Sequence, residues 1–168
     1  KYALYFALSI FASPAQTIKT TFSPAFLPSK TPLDFYECRH GLNYTTFNAK
    51  KNGIATQLTC FVPLNDNCEI NLLKIRNDGE NDKTLSVYGG VEFCLWNAQD
   101  DTTNFQRNYN TGEVEIVENS DFGAVYHKTE YRERRDHYAF FSLHSKIDGY
   151  DTDRDTFLGK FNGFDSPV

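Results

Sequence analysis

Apolar side chains, with one threonine among them, recur at every second position in two stretches of this chain. One stretch has Ile54, Thr56, Leu58, Cys60 and Val62, and the other has Leu85, Val87, Val91, Phe93 and Leu95. Successive side chains of a β-strand point to opposite faces, so this spacing is typical of strands with one buried face. No apolar stripe at helical spacing continues for three turns. The chain is therefore predicted to be all-β.

Further short runs extend the strand pattern over most of the remaining chain. They cover residues 69–76, 113–118, 124–131 and 138–143. Asn77-Asp78-Gly79 ends the first of these runs and is typical of a turn that tolerates positive φ. The aromatic content of 15% suits the pleated surface of a sheet. We expect an antiparallel β-sandwich, with sheet packed on sheet.

The run over residues 85–95 has two further features. Its alternate positions carry Tyr88, Cys94 and Trp96, so both faces of the strand are expected to be buried. Gly89-Gly90 lies in its middle and predicts a bulge or a close approach of other atoms to the backbone.

The amino-terminal region is expected to differ from the rest. Residues 2–12 are interpreted as a strand or a buried edge segment, and the alternative is the apolar core of a signal peptide. Residues 13–34 contain four prolines, which exclude a helix and most pairing in a central strand. An irregular, extended segment is therefore expected there.

Charge and composition limit the classes of partner. Lys and Arg number 17 against 22 Asp and Glu, and the net charge of −5 argues against nucleic acid as a main partner. Residues 1–12 are too short to span a bilayer, and no membrane partner is expected. The four cysteines, Cys38, Cys60, Cys68 and Cys94, lack metal or redox spacing. We expect reduced thiols in a cytoplasmic protein, with secretion as the alternative if residues 1–12 are a signal remnant.

Two groups of polar residues suggest metal sites without satisfying the patterns. Asp151, Asp153 and Asp155 begin like a calcium loop, but Thr156 stands where the loop needs glycine. The second group is His127, Glu130, Glu133 and His137. On a strand the first two would face opposite sides of the sheet. No metal site is therefore predicted.

The stretch from Trp96 to Asn108 combines two aromatic residues with several amides and Arg107. Aromatic faces stack on the CH groups of a sugar ring, and amide and guanidinium groups bind its hydroxyls. The alternative is a polar connection that its aromatic residues anchor to the core. Composition alone does not separate these two interpretations.

Several blocks of sequence resemble one family. They are Leu33–Leu42, Phe61–Leu64, Val91–Ala98, Asn104–Asn108, Thr111–Glu115, Tyr126–Arg135 and Phe157–Gly159. In this order they resemble the amino-terminal domain of the cellobiose phosphorylases, inverting disaccharide phosphorylases of glycoside hydrolase family 94. The resemblance implies a partial β-sandwich domain over residues 23–168, preceded by an atypical segment over residues 1–22. Since the chain begins at Lys1 and has no methionine, we expect a processed, partial or incompletely represented chain.

The resemblance also implies a reaction. Cellobiose and phosphate give α-glucose 1-phosphate and glucose, with inversion at the anomeric carbon. Inorganic phosphate is the nucleophile and co-substrate, one carboxylic acid protonates the glycosidic oxygen, and no metal or organic cofactor is needed. The family carries that acid in an (α/α)6 barrel that nothing in this sequence matches. The chain is therefore expected to be inactive alone and to contain no catalytic residue.

The resemblance finally implies site residues and partners. Four residues are expected either to contact cellobiose or glucose on the acceptor side or to position their loop: Asn97, Asn104, Gln106 and Arg107. Arg39 and His40 are expected to be structural. The expected protein partners are the catalytic barrel of the same protein and a second copy, as a homodimer. The alternative functions are a free-standing carbohydrate-binding module and an interaction fragment.

Overall fold

The computed structural model describes residues 2–11, 19–93, 103, 113–118, 123–128 and 138–164. Within these ranges the chain forms ten strands and a short helix, besides the helical residue Thr103. They are β1 (Tyr2–Phe11), β2 (Lys19–Phe22), β3 (Phe35–His40), β4 (Tyr44–Lys51), β5 (Ile54–Phe61), β6 (Ile70–Asn77), β7 (Thr84–Phe93), β8 (Glu113–Glu118), β9 (Gly123–Lys128), β10 (Tyr138–Leu143) and α1 (Arg154–Leu158). The predicted all-β class is confirmed.

The strands form three sheets. Four strands pair in the order β3-β4-β5-β6, three pair as β10-β9-β8, and three pair as β2-β1-β7. The pairings within the first two sheets and between β1 and β2 are antiparallel. The described residues fall into two compact units, one within Tyr5–Tyr88 and Leu158–Val168, the other within Lys1–Leu4 and Gly89–Phe157.

The tight turn between β4 and β5 fixes the register of the four-stranded sheet. Asn52 has φ of 48° and Gly53 has φ of 76°. Two successive residues of positive φ match the twist of an antiparallel hairpin, and Asn-Gly is the pair that adopts them most readily. The turn is held at its side by Asp34, whose Oδ2 accepts the Asn52 N–H at 2.7 Å. Lys51 therefore pairs with Ile54, and every later pair follows from that one.

One face of the four-stranded sheet, which we call the inner face, contributes to the core. Phe22 of β2 and Ile54 of β5 are both 0% exposed. The partly buried residues packed against them are Leu33, Leu73 and Leu85. The predicted alternation in β5 is confirmed for Ile54, Thr56 and Leu58, which are buried. It is wrong at Val62, which lies beyond the end of β5 and is 57% exposed. Sheet-on-sheet packing therefore holds this unit together.

In the other unit, β7 lies close to β10. A Cβ atom on Gly89 would lie 2.5 Å from Cζ of Phe141 and 3.5 Å from Cδ2 of Leu143. Residues 141 and 143 share a face of β10, and that face therefore packs on the backbone at Gly89. The expected close approach at Gly89 is confirmed.

Some expectations about strands were incomplete or wrong. The strands β3 and β4 had no prediction, and β2 lies inside the segment expected to be irregular. The expectation that both faces of residues 85–95 are buried is wrong at Val87 and Tyr88, which are 43% and 38% exposed. The interpretation of residues 2–12 as a strand is confirmed, because β1 covers residues 2–11.

Candidate functional site

The predicted site residues have no described structure. Asn97, Asn104, Gln106 and Arg107 lie outside the described residues, and so do Cys94 and Trp96. The two interpretations of that stretch therefore remain predictions.

The residues considered for metal binding have other positions in the chain. Asp153 caps α1, where its Oδ1 accepts the N–H of Asp155 at 2.7 Å and that of Thr156 at 3.3 Å. His127 belongs to β9. The other three residues of that group lie outside the described residues: Glu130, Glu133 and His137. Among the residues with described positions, no group of three or more His, Cys, Asp or Glu could hold a metal ion.

The described structure brings polar residues together on the second face of the four-stranded sheet. Strand register places these residues on that face, which we call the outer face: Phe35, Glu37, Arg39, Tyr44, Thr46, Asn48, Lys50, Ala55, Gln57, Thr59, Phe61, Ile70, Leu72, Lys74 and Arg76. Each residue is at least partly exposed. This face therefore offers side chains to solvent or to a ligand.

A chain of side-chain hydrogen bonds crosses three strands of the outer face. Gln57 Nε2 donates to Asn48 Oδ1 at 3.0 Å, and Asn48 Nδ2 donates to Glu37 Oε2 at 3.2 Å. Arg39 Nη2 donates to the other oxygen of that carboxylate at 2.8 Å. Glu37, Asn48 and Gln57 are direct neighbours across the strands, so their short side chains meet without strain. These bonds fix the amide planes on the sheet.

We call the row of Glu37, Asn48, Gln57 and Lys74 the amide row. A hydroxyl row and an apolar row lie beside it. Thr46 and Thr59 are opposite each other, and their hydroxyl oxygens are 3.3 Å apart. The next row on the same face is Tyr44, Phe61 and Ile70. Tyr44 is 52% exposed, so its ring remains available on one side. Amides, hydroxyls and an aromatic ring therefore share one flat surface.

Most charges on the outer face are paired. The ion pair of Glu37 and Arg39 lowers the pKa of the carboxyl, chiefly through the hydrogen bond from the guanidinium. Near the β6 end, Asp78 accepts hydrogen bonds from Arg76 and lies 3.3 Å from Lys50 Nζ. The guanidinium of Arg76 is the main cause that lowers the Asp78 pKa to about 2. Lys74 stands at the end of the amide row, without an ion pair among the described residues.

The inner face carries the cysteines of β3 and β5. Cys38, Cys60 and Cys68 have free thiols, in agreement with the prediction for these three. Cys38 Sγ lies 3.6 Å from His40 Nε2, and Thr45 Oγ1 lies 3.1 Å from the other ring nitrogen. Burial raises the pKa of Cys60 to about 11, so this thiol is a weak nucleophile.

A depression in the same unit is a weaker candidate. It is lined by residues 27–32 together with Gly163 and Phe164. The Ser29 hydroxyl is buried and has no hydrogen-bond partner in the part of the chain that the structure describes. Thr31 Oγ1 is engaged with Thr21 O at 2.6 Å. The Ser29 hydroxyl and the exposed Lys30 ammonium are thus the side-chain groups of the lining that remain to hold a ligand there.

Sequence reasoning missed the outer face, although a signal for it exists. Polar residues recur at every second position as Glu37 and Arg39 in β3, Thr46 and Asn48 in β4, and Gln57 and Thr59 in β5. This is the polar half of a half-buried strand pattern. Arg39, which was expected to be structural, lies exposed on this face. No helix in the described part of the chain has the length and apolar content to cross a membrane.

Comparison with known proteins decides the family. A family model described as the glycosyl hydrolase 94 supersandwich domain matches residues 16–168. The chain belongs to this family. The glycosyl hydrolase 94 supersandwich assignment agrees with the all-β fold and with the family to which the sequence blocks pointed.

Relatives of this supersandwich domain are phosphorylases of several disaccharides. The chain is 31% identical over 142 residues to an N,N'-diacetylchitobiose phosphorylase of Vibrio furnissii, with 79% of the chain and 16% of that protein covered. It is 28% identical over 145 residues to a solabiose phosphorylase of Paenibacillus borealis, with 86% of the chain and 18% of that protein covered. The chain thus spans less than a fifth of the length of these relatives.

Proposed function

We propose that this chain is the amino-terminal supersandwich part of an inverting disaccharide phosphorylase that acts on cellobiose. The observation that carries the proposal is the family match over residues 16–168. Support for a phosphorylase comes from the relatives, whose names are N,N'-diacetylchitobiose phosphorylase and solabiose phosphorylase. Support for cellobiose comes from the stretch Trp96–Asn108, which resembles the cellobiose branch of the family.

The proposed reaction transfers a glucosyl group to inorganic phosphate. A phosphate oxygen attacks the anomeric carbon, the glycosidic C–O bond breaks, and a carboxylic acid protonates the departing oxygen. The products are α-glucose 1-phosphate and glucose. We assign the acid and the phosphate site to a catalytic barrel outside this chain, and the reaction needs no metal or organic cofactor.

Within this proposal the chain contributes to acceptor binding. Asn97, Asn104 and Gln106 supply neutral amides, which both donate and accept hydrogen bonds and therefore suit sugar hydroxyls. Arg107 adds a planar fork of donors that can hold two hydroxyls or clamp the loop. None of these groups protonates the leaving oxygen, so their loss affects sugar binding before chemistry.

The proposed partners follow from the same role. The chain packs on the catalytic barrel of its own protein, and two copies of that protein form a homodimer in the cytoplasm. Exposed apolar side chains are compatible with such contacts. Leu42 and Leu64, in the turns that follow β3 and β5, are among the most exposed of them.

The test compares disaccharides as substrates of the full-length protein that carries this chain. Initial rates of phosphorolysis are measured with cellobiose, N,N'-diacetylchitobiose and solabiose. We expect the highest kcat/KM with cellobiose, and release of α-glucose 1-phosphate. A preference for either other sugar would contradict the assignment to cellobiose. An absence of phosphorolysis with all three would contradict the phosphorylase assignment.

A further inference from the structure

We propose that the outer face of the four-stranded sheet binds an uncharged oligosaccharide. The contact residues are Tyr44, Thr46 and Asn48 on β4 with Gln57 and Thr59 on β5. None of them belongs to the stretch 97–107 that carries the proposed acceptor contacts, so the inference goes beyond the proposed function and does not depend on it.

The contact residues form a platform along β4. Tyr44, Thr46 and Asn48 are spaced by two residues, so their side chains leave the same face of the strand. At about 3.4 Å per residue, the platform is about 14 Å long. Thr59 and Gln57 stand directly opposite Thr46 and Asn48 and double its width. These dimensions suit a short oligosaccharide that lies flat along the strand.

The amide row retains capacity for a ligand after its internal hydrogen bonds are counted. Asn48 uses one N–H toward Glu37 and its oxygen toward Gln57, which leaves its second N–H. Gln57 uses one N–H and keeps its second N–H and its oxygen, as far as contacts among the described residues show. One oxygen and two N–H groups thus remain at fixed positions. Donors beside acceptors are what sugar hydroxyls need.

The burial of these residues distinguishes the outer face from an ordinary solvated surface. Neighbouring side chains on the sheet cover part of the surface of five polar residues, which are therefore half-buried: Glu37, Asn48, Gln57, Thr46 and Thr59. Their amide and hydroxyl groups are therefore pre-organised, which lowers the entropy cost of binding.

The apolar row gives the other half of a sugar site. In this row Tyr44 and Ile70 are 52% and 41% exposed, beside the partly exposed Phe61. The exposed Tyr44 ring can accept the apolar face of one pyranose, while the Thr46 and Thr59 hydroxyls and, one row further along, the amides take hydroxyls of that unit and the next. The face thus matches both surfaces of a sugar ring.

The pattern of charge argues for an uncharged ligand. Arg39 is paired with Glu37, while Lys50 and Arg76 are paired with Asp78. Lys74 is the one cation of this face without an ion pair among the described residues, and it lies at the edge of the amide row. A phosphate polymer or acidic peptide would have to displace carboxylates from their cations. A neutral glycan leaves those pairs in place.

The experiment titrates the isotope-labelled 168-residue chain with cellotetraose and follows backbone amide shifts by NMR. We expect saturable shifts at residues 44–48 and 57–59, with Kd in the millimolar range and little dependence on salt. A tetragalacturonate and inorganic phosphate serve as charged comparison ligands. If only the charged ligands bind, or if salt abolishes binding, Lys74 is acting as a simple cation and the proposal is wrong.

Paired variants test the assignment of residues. Asn48→Ala combined with Gln57→Ala is expected to weaken binding about tenfold or more, the effect of losing neutral hydrogen bonds. Asn71→Ala is the matched control, because Asn71 is an amide on the inner face of the same sheet. Should the double variant fail to fold by circular dichroism, Tyr44→Ala replaces it with the same expected loss. Equal affinity in variant and control, or no shifts on the outer face of the native chain, would overturn the proposal.

Discussion

Gly89 and Phe141 meet so closely that any side chain at position 89 would have to displace the Phe141 ring. A Cβ atom there would lie 2.5 Å from Cζ of Phe141, inside the range that real Cβ atoms avoid. Gly89 lies in the part of β7 that belongs to the same compact unit as Phe141 of β10, and in the described part of the chain these two strands belong to different sheets. The glycine in an otherwise apolar strand is thus explained by packing.

Gly89→Val should destabilise the chain by about 1–3 kcal/mol, because the new side chain must displace the Phe141 ring. Urea unfolding followed by circular dichroism measures this change. Gly149→Ala is the control, since a Cβ there meets nothing within 4 Å, and we expect a change within about 0.5 kcal/mol. Equal midpoints for both variants would contradict the packing of β10 on β7.

Cys60 should react slowly with iodoacetamide in the folded chain. Burial raises its pKa to about 11, so the thiolate fraction near neutral pH is about two orders of magnitude below that of an ordinary cysteine. Peptide mass spectrometry gives the alkylation rate of this residue. The same residue in guanidinium chloride is the reference. Similar rates in the folded and unfolded chain would show that β5 does not bury this thiol.

The acid stability of the chain should depend on Asp78. Its pKa falls to about 2 on folding, chiefly because of the hydrogen bond from Arg76, whereas an unfolded aspartate has a pKa of about 3.9. A carboxyl whose pKa is lowered on folding adds stability above its unfolded pKa. That contribution is lost as the pH falls from about 4 to about 2.

Asp78→Asn should therefore lower Tm near neutral pH and flatten its dependence on pH in this acid range. Asp82→Asn is the control, because Asp82 is an exposed carboxyl without an ion pair among the described residues. Differential scanning calorimetry gives Tm at each pH. Parallel Tm profiles for native chain and Asp78→Asn would contradict the stabilising role of the Asp78 pairs.

The strands in which apolar and polar residues alternate most clearly could be predicted from the sequence. The alternation of Ile54, Thr56 and Leu58 is read directly from the chain, and burial confirms it. In β3 and β4 the inner positions include Cys38, His40 and Thr45, whose polarity hides the period of two. The Asn52-Gly53 pair signals the hairpin that joins β4 to β5, and it could have located β4.

The outer face could not be predicted in the same way. Its hydrogen bonds join residues 37, 48 and 57, which are neighbours only after three strands take their register. A one-residue shift would send each of these side chains to the inner face. Val87 and Tyr88 show that the apolar pattern can also overpredict burial. They lie on opposite faces of a strand with apolar residues on both faces, and both are partly exposed.

The isolated 168-residue chain should release no glucose 1-phosphate from cellobiose and phosphate. We assign the proton donor to a barrel outside this chain. A coupled assay for glucose 1-phosphate detects the product, with the full-length protein as the positive control. Phosphate-dependent release by the pure chain would contradict this assignment.

The most direct test of the account uses Arg107→Ala in the full-length protein. For this variant we expect a higher KM for cellobiose in phosphorolysis and a higher KM for glucose in the reverse reaction. The KM for phosphate should remain nearly unchanged. Loss of one charge-assisted hydrogen bond corresponds to about 1.5–3 kcal/mol, or about one to two decades in kcat/KM. Arg107→Lys should restore little, because an ammonium group cannot reproduce the guanidinium fork. Unchanged sugar kinetics together with a lower Tm would contradict the account and make Arg107 a structural residue.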